Sequence, residues 1–124
     1  MPPREIVLVS EMIDAAEQAR ALVLGRTVDA IEADRQRRDA LLWNFTVMGE
    51  AAAQLPAEFK ALHAEVDWTR PARLRNRIVH GYWSIDISIL HATASLDLPE
   101  YIEELTAVLR ASSHQSEESQ AEAL

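Results

Sequence analysis

The sequence contains no cysteine, only three glycines and no long hydrophobic run. Without cysteine, disulfide bonds and thiolate metal sites are excluded, so the default expectation is a cytoplasmic protein without covalent cross-links. The N-terminal segment MPPREIVLVSEMIDAAEQAR has charges every few positions. This pattern is typical of neither a signal peptide nor a membrane span, and we expect no contact with a membrane.

The chain has 124 residues, the length of a single domain, and 48% of them are hydrophobic. Apolar residues recur at helical spacing, which predicts an all-α fold, an antiparallel bundle of about five to six helices. We expect the domain to cover residues 1–110. The remaining residues 111–124, ASSHQSEESQAEAL, are small, polar and acidic, a composition that predicts a disordered tail.

Helix boundaries follow from the apolar spacing and from the helix-breaking residues. Thr69 is expected to cap the fifth helix, Gly81 to stop it, and Pro99 to kink or divide the last one. Gly49 lies inside the third helix, where glycine costs about 1 kcal/mol relative to alanine, and it indicates close approach of another backbone. The predicted helices cover residues 4–24, 28–32, 35–55, 56–63, 69–80 and 86–110.

The third predicted helix is apolar on most of its circumference, with Leu41 and Phe45 on one side and Leu42, Trp43 and Val47 on the other. Such a helix is usually buried on more than one face. We therefore expect it to lie at the centre of the bundle and also to form half of a homodimer interface. The tryptophans are expected to be packing residues rather than platforms on which nucleic-acid bases stack.

The net charge of −8 speaks against non-specific binding of nucleic acid. Between Trp68 and Ser84, however, there are four arginines, one histidine and no carboxylate, whereas the rest of the chain has 8 basic and 20 acidic residues. This basic segment is a candidate binding surface for an anion. The alternative is that its arginines form an ordinary solvated helix face.

The segment LRNRIVHGYW combines several polar residue types near a predicted helix end. Asn76 and His80 are four residues apart and share one side of the helix, which Arg73 and Arg77 flank. Arg75 instead falls on the apolar flank. A guanidinium there is unfavourable unless it meets an anion or lines an interface.

His80 lies at the predicted C-terminus of this helix, where the helix dipole favours the protonated imidazole. A histidine with arginines and no metal ligands suits cleavage of RNA by the adjacent 2′-hydroxyl, which needs a base, an acid and positive charge at the phosphate. Arg73 and Arg77 are the candidates for binding RNA. Because one chain offers one such histidine, the chemistry favours a homodimer with the site at its cleft.

The spacing of Arg75, His80 and Tyr82 resembles the R-x4-H-x-Y motif of the HepT-like HEPN ribonucleases. The stretch RRDALLWNFTVMGEAAAQLP, with its core at Gly49 to Ala52, is similar to a second conserved block of that family. VDW before the motif and DLPEYIEEL after it are also similar to family features. The resemblance therefore covers roughly residues 4–110.

This resemblance implies a homodimeric helical bundle that cleaves RNA without a metal or other cofactor, leaving a 2′,3′-cyclic phosphate. Arg75 and His80 would be the catalytic pair, supported by Asn76. It further implies that the protein is the toxin of a type VII-like toxin–antitoxin system. The partner would be a nucleotidyltransferase antitoxin of the MNT type, which transfers AMP to Tyr82 and so blocks the anion site.

Two other functions remain open on the sequence alone. The chain could be a non-catalytic module that binds a nucleotide or a partner protein at the same anion site. It could also be a purely structural dimer, in which case substitution of Arg75 or His80 would alter only stability.

Overall fold

The computed structural model describes the backbone of residues 3–123 and the side chains of residues 3–112. The described backbone is helical and contains no β-strand, which confirms the all-α fold. All the predicted helices are present. They are α1 (Arg4–Val23), α2 (Val28–Ala33), α3 (Arg35–Gln54), α4 (Ala57–Leu62), α5 (Thr69–His80), α6 (Ile87–Ala92) and α7 (Leu98–Ala123), with a π-helical segment over Thr93–Asp97 between α6 and α7.

The two 20-residue helices α1 and α3 pack against each other in antiparallel orientation. Arg4, at the start of α1, donates to the side chain of Gln54, at the end of α3, at 2.7 Å. At the opposite end, Arg37 donates to the carbonyl of Leu22 at 3.2 Å. The short helix α2 makes the return between them, and Gly25 in the preceding turn has a φ of +71°, a value that favours glycine.

Helix α3 is the centre of the bundle, as predicted. It packs against α1 on one side and against α5 on the other, while α7 packs against α1. Buried side chains from α1, α3, α6 and α7 form most of the core, and each of the larger aliphatic and aromatic ones contributes about 1.5–3 kcal/mol through removal of apolar surface from water. The most completely buried include Met12, Leu41, Met48, Leu90 and Leu105.

The N-terminus of α5 is capped by Asp67, so the prediction that Thr69 is the cap is wrong. The Asp67 carboxylate accepts hydrogen bonds from the backbone N–H groups of Thr69 and Arg70, each at 3.0 Å. Thr69 also donates its hydroxyl to the same carboxylate oxygen at 2.9 Å. The bond from the Arg70 N–H does most to lower the pKa of Asp67, because these bonds stabilise the ionised form.

Pro99 divides the last predicted helix, as expected. The chain passes from α6 through the π-helical segment into α7, and Pro99 is the second residue of α7. The backbone remains helical through the π-helical segment, in which the Leu98 N–H donates to the Thr93 carbonyl, and Pro99 is the next residue, which has no N–H to donate. The wider π-helical turn thus precedes the proline and places it where its ring is tolerated.

Helix α7 continues to Ala123, whereas a disordered tail is predicted from residue 111. The side chains of residues 113–124 lie outside the described residues, so the domain boundary at residue 110 stays a prediction. None of the described helices is long and apolar enough to cross a membrane.

Candidate functional site

Helix α5 presents a polar face to solvent, as the sequence predicts. Ile78 is buried against the core and Leu74 is half-buried beside it. The candidate residues Arg73, Asn76, Arg77 and His80 are all exposed. The core contact of one side of α5 therefore orients its opposite side outwards.

Arg75 lies on the side of α5 that faces α3, which confirms its predicted place away from the polar face. Its Nη1 forms an ion pair with Glu50 Oε1 at 3.0 Å, and the side chain is only 24% exposed. Its Nε is buried and has no hydrogen-bond partner among the described residues. Glu50 is thus the anion that this location required. The Arg75 guanidinium is therefore partly used within the chain, with Nη1 paired to Glu50 and Nε buried.

Gly49 allows α5 to approach α3 this closely. A Cβ atom added at Gly49 would overlap the Cβ of Arg75 and the backbone carbonyl of Pro71. The predicted close approach of another backbone is therefore confirmed, and that backbone belongs to the helix that carries the motif. Because Gly49 has no side chain, α5 lies close enough to α3 for Arg75 to pair with Glu50.

His80 is the last residue of α5 and is exposed to solvent. Gly81 follows as the C-cap with a φ of −145°, so the helix ends where the sequence predicts, although without a left-handed residue. A tight turn comes next, in which the Ser84 N–H donates to the Gly81 carbonyl at 2.9 Å. The ring of His80 is therefore held at the negative end of the helix dipole and can be reached by a substrate.

Two of the four arginines in the basic segment form ion pairs with carboxylates. Arg70 pairs with Asp97 at 2.7 Å and Arg75 with Glu50. Arg73 and Arg77 are exposed and form no ion pair within the described part of the chain. Those two residues, which the sequence analysis assigns to RNA binding, are the cations of this segment best placed for a phosphate backbone.

A pocket between α3, α5 and α7 is unsuited to RNA. Its lining includes the carboxylates Asp67, Asp97, Glu100 and Glu104, and its one cation, Arg70, is already paired with Asp97. Negative charge at this density would repel phosphates. The exposed face of α5 is the better candidate surface.

Tyr82, two residues after the end of α5, is hydrogen-bonded to the beginning of α3. Its hydroxyl donates to Asp39 Oδ1 at 2.5 Å, and the Arg38 guanidinium carbon lies 5.9 Å from the ring centroid. The second oxygen of Asp39 lies 3.5 Å from Arg35 Nε. Donation to Asp39, with some burial, raises the pKa of Tyr82, because both disfavour the phenolate.

Asp39 is the residue of this region that the sequence analysis missed. It is separated from Tyr82 by 43 positions. The local pattern shows only an ordinary i, i+4 pair with Arg35. No spacing rule connects the start of α3 with the end of α5, and only their antiparallel packing does.

Of the three tryptophans, one packs inside the chain and two are exposed. Trp68 is buried, and its indole N–H donates to the His63 carbonyl at 3.0 Å. Trp43 is 66% exposed and Trp83 is 83% exposed. Trp83 directly follows Tyr82, and Trp43 lies on α3 between Asp39 and Glu50, so both leave aromatic surface exposed on segments next to the motif.

Within one chain the candidate residues do not converge on one point. Arg75 and His80 are five residues apart, which places them about 140° apart around the helix and about 7.5 Å apart along it. Arg75 turns towards α3, whereas His80 is exposed. Within one copy, Arg75 and His80 therefore lie on separate sides of α5.

Comparison with known proteins matches residues 12–108 to a family described as "Ribonuclease HepT-like". A "Probable ribonuclease HepT" from Thermococcus cleftensis is 33% identical over 66 residues, covering 53% of this chain and 60% of that protein. A "Putative RNase" from Methanocaldococcus jannaschii is 29% identical over 84 residues, covering 68% of this chain and 69% of its own length. The chain thus spans about three fifths to two thirds of these relatives. No solved structure matches it significantly.

Proposed function

This chain belongs to the ribonuclease HepT-like family, and we propose that it is a metal-independent endoribonuclease, the toxin of a type VII-like toxin–antitoxin pair. The observation that carries the proposal is the arrangement on α5: Arg75 is held by Glu50 against α3, and His80 is exposed at the end of the same helix. RNA transesterification needs positive charge at the phosphate, which Arg75 supplies, and a base and an acid, which accessible imidazoles supply.

The reaction begins when a 2′-hydroxyl attacks the adjacent phosphorus. One imidazole of His80 accepts the proton of that hydroxyl, and a second His80, from another copy, gives a proton to the departing 5′-oxygen. Arg75 stabilises the charge that builds on the phosphoryl oxygens, and Asn76 orients the scissile phosphate or His80. Arg73 and Arg77 bind the flanking backbone. The products are a 2′,3′-cyclic phosphate and a 5′-hydroxyl.

A second copy of the chain completes the site. Trp43 is seven residues before Glu50 on α3, and Val79 is four residues after Arg75 on α5, so each shares a helix side with one partner of the ion pair. Both are large apolar residues in water, with Val79 54% exposed. Burying them against the same surface of another copy would bring two histidines and two Arg75 side chains to one cleft.

The proposed off-switch is transfer of AMP to Tyr82 by a nucleotidyltransferase antitoxin. Tyr82 is two residues from His80; Asp39 connects its hydroxyl to Arg35, and Arg38 lies over its ring. A phosphodiester attached there would place negative charge and an adenosine beside the RNA-binding face. Both effects would exclude the substrate.

The Arg75–Glu50 ion pair favours a second candidate function. With Nη1 neutralised by Glu50 and Nε sealed, Arg75 has lost much of its capacity for a phosphate. On this view the chain is a non-catalytic module that binds a nucleotide or the partner enzyme through Arg73, Arg77 and Tyr82.

Cleavage of RNA by the purified chain in EDTA tests the leading proposal. The wild type should release cyclic phosphate ends, and His80→Ala should lower the rate about 10²- to 10⁴-fold while the circular dichroism spectrum stays unchanged, because proton transfer is lost. Arg20→Ala, which removes an exposed cation from α1, is the control and should cleave normally. Wild-type cleavage by His80→Ala would refute the assignment. An inactive wild type in which Arg73→Ala or Arg77→Ala weakens binding of the nucleotide or of the partner enzyme would support the binding module.

A further inference from the structure

The hydroxyl of Tyr82 is paired with a group that can take its proton. Asp39 Oδ1 accepts this hydroxyl at 2.5 Å, the short distance typical of an O–H···O⁻ bond. Asp39 itself is partly exposed, with 41% of its side chain accessible, and its other oxygen is near Arg35. The hydroxyl, a carboxylate and two arginines thus lie together where α3 begins and α5 has ended.

We propose that Asp39 is the general base that accepts the Tyr82 proton when the tyrosine oxygen attacks the α-phosphorus of a nucleoside triphosphate. This inference rests on the proposed function, in which Tyr82 is the acceptor of AMP. The Oη–Pα bond forms, the bond from Pα to the pyrophosphate oxygen breaks with its electron pair, and the proton passes to Asp39 Oδ1. Arg35 and Arg38 lie beside the same pair and supply positive charge for the phosphoryl oxygens.

A base is needed because a neutral phenol is a weak nucleophile. The pKa of Tyr82 is raised, so the phenolate is even scarcer near neutral pH than for an ordinary tyrosine. A neutral phenol does not give up its proton to a carboxylate outright, since carboxyl groups are far more acidic than phenols. Transfer becomes favourable only as the new O–P bond removes electron density from the oxygen, which is general base catalysis.

The second tyrosine of the chain provides an internal comparison. Tyr101 donates its hydroxyl to the backbone carbonyl of Asp67 at 2.9 Å. A peptide carbonyl accepts a hydrogen bond but does not accept a proton at neutral pH. The structure therefore distinguishes the two tyrosines by the chemistry of their acceptors, and the proposed base is available to Tyr82 alone of the two.

The decisive experiment measures AMP transfer by the cognate nucleotidyltransferase and ATP to the full chain, followed by intact-mass spectrometry and peptide mapping. The variants are Asp39→Asn, which still accepts the hydrogen bond of Tyr82 but cannot take a proton, and Tyr82→Phe, which has no acceptor oxygen. Asp29→Asn, an exposed carboxylate in α2, is the matched control. Rates are recorded from about pH 6.5 to 9, below the ordinary tyrosine pKa of about 10, where the phenolate is the minor form.

Asp39→Asn should slow transfer to Tyr82 about 10²- to 10⁴-fold at pH 7, and its rate should rise with pH because only the phenolate then reacts. The wild-type rate should be nearly independent of pH over this range. RNA cleavage by Asp39→Asn should stay normal, so the variant should remain toxic in the presence of the partner. If Asp39→Asn had the transfer rate and pH profile of the wild type, Asp39 would not be the general base, whereas Tyr82 could still be the acceptor of AMP. If an active partner did not transfer AMP to Tyr82 of the wild type, the assignments of Tyr82 as acceptor and of Asp39 as base would both be wrong.

Discussion

Gly49 has no Cβ atom, and this absence lets Arg75 lie close to α3. The Cβ of Arg75 and the carbonyl of Pro71 occupy the space that a side chain at position 49 would need. This approach brings Arg75 within 3.0 Å of Glu50, the next residue along α3. Because Gly49 has no side chain, the partly buried Arg75 guanidinium lies beside Glu50, and this ion pair limits the motion of Arg75 before any substrate binds.

Gly49→Ala should destabilise the protein, although alanine is the better helix former. Propensity alone would favour alanine by about 1 kcal/mol. Overlap with two atoms of α5 should outweigh this and give a net loss of about 1–3 kcal/mol. Urea unfolding followed by circular dichroism measures the difference. An unchanged or higher stability would show that α5 can move away from α3 without cost.

At the scale of the element, α5 depends on a carboxylate that precedes it. The first backbone N–H groups of a helix have no partner within the helix. Asp67 satisfies those of Thr69 and Arg70 and also binds the Thr69 hydroxyl. The pKa of Asp67 is accordingly lowered, so the ionised carboxylate is the form that the folded state favours.

Asp67→Ala should lower the free energy of unfolding by about 0.5–2 kcal/mol at pH 7, as removal of a helix cap does. Because the pKa is lower in the folded state, this contribution is present above the unfolded pKa, near 3.8, and is lost as pH falls below it. The difference from wild type should therefore shrink in acid. Unfolding curves at pH 7 and pH 3 measure it. Asp67→Asn, which can still cap, and Thr69→Ala should both cost less; a larger cost for Thr69→Ala would restore threonine as the cap.

At the scale of the whole molecule, one chain displays its candidate groups on different sides. His80 and Arg73 are exposed, Arg75 faces α3, and Trp43 and Val79 leave apolar surface in water beside the ion pair. Such a surface is typical of a contact with another protein. A symmetric second copy would cover it and also supply the second histidine that the proposed reaction uses.

Mixing wild-type chains with His80→Ala chains by co-refolding tests this composite site. If each cleavage needs His80 from both copies, activity should follow the square of the wild-type fraction, because only wild-type dimers react. An equal mixture would then retain about one quarter of full activity. Activity that falls linearly, to about one half, would show that each copy works alone. Analytical ultracentrifugation of the same samples checks that dimers form, and Trp43→Arg should reduce them.

Local patterns in the sequence were sufficient for the helices, the buried stripes and the polar face of α5, because helical periodicity acts over four to eight residues. The same patterns placed Arg75 on the apolar side of its helix, where a solvated cation is not expected. They also predicted that another backbone lies close to Gly49. The choice between Thr69 and Asp67 as cap could not be made in this way. Both are good capping residues, and the difference depends on where the first turn begins.

Only the tertiary structure decided which residues meet across the bundle. The antiparallel packing of α3 and α5 joins Arg75 to Glu50 and Tyr82 to Asp39. These contacts connect positions far apart in sequence, and their register depends on how a glycine and many apolar side chains fit together, which no local pattern specifies. The sequence by itself therefore determined which residues could carry the chemistry, and the packing of the helices decided which partners each of them has.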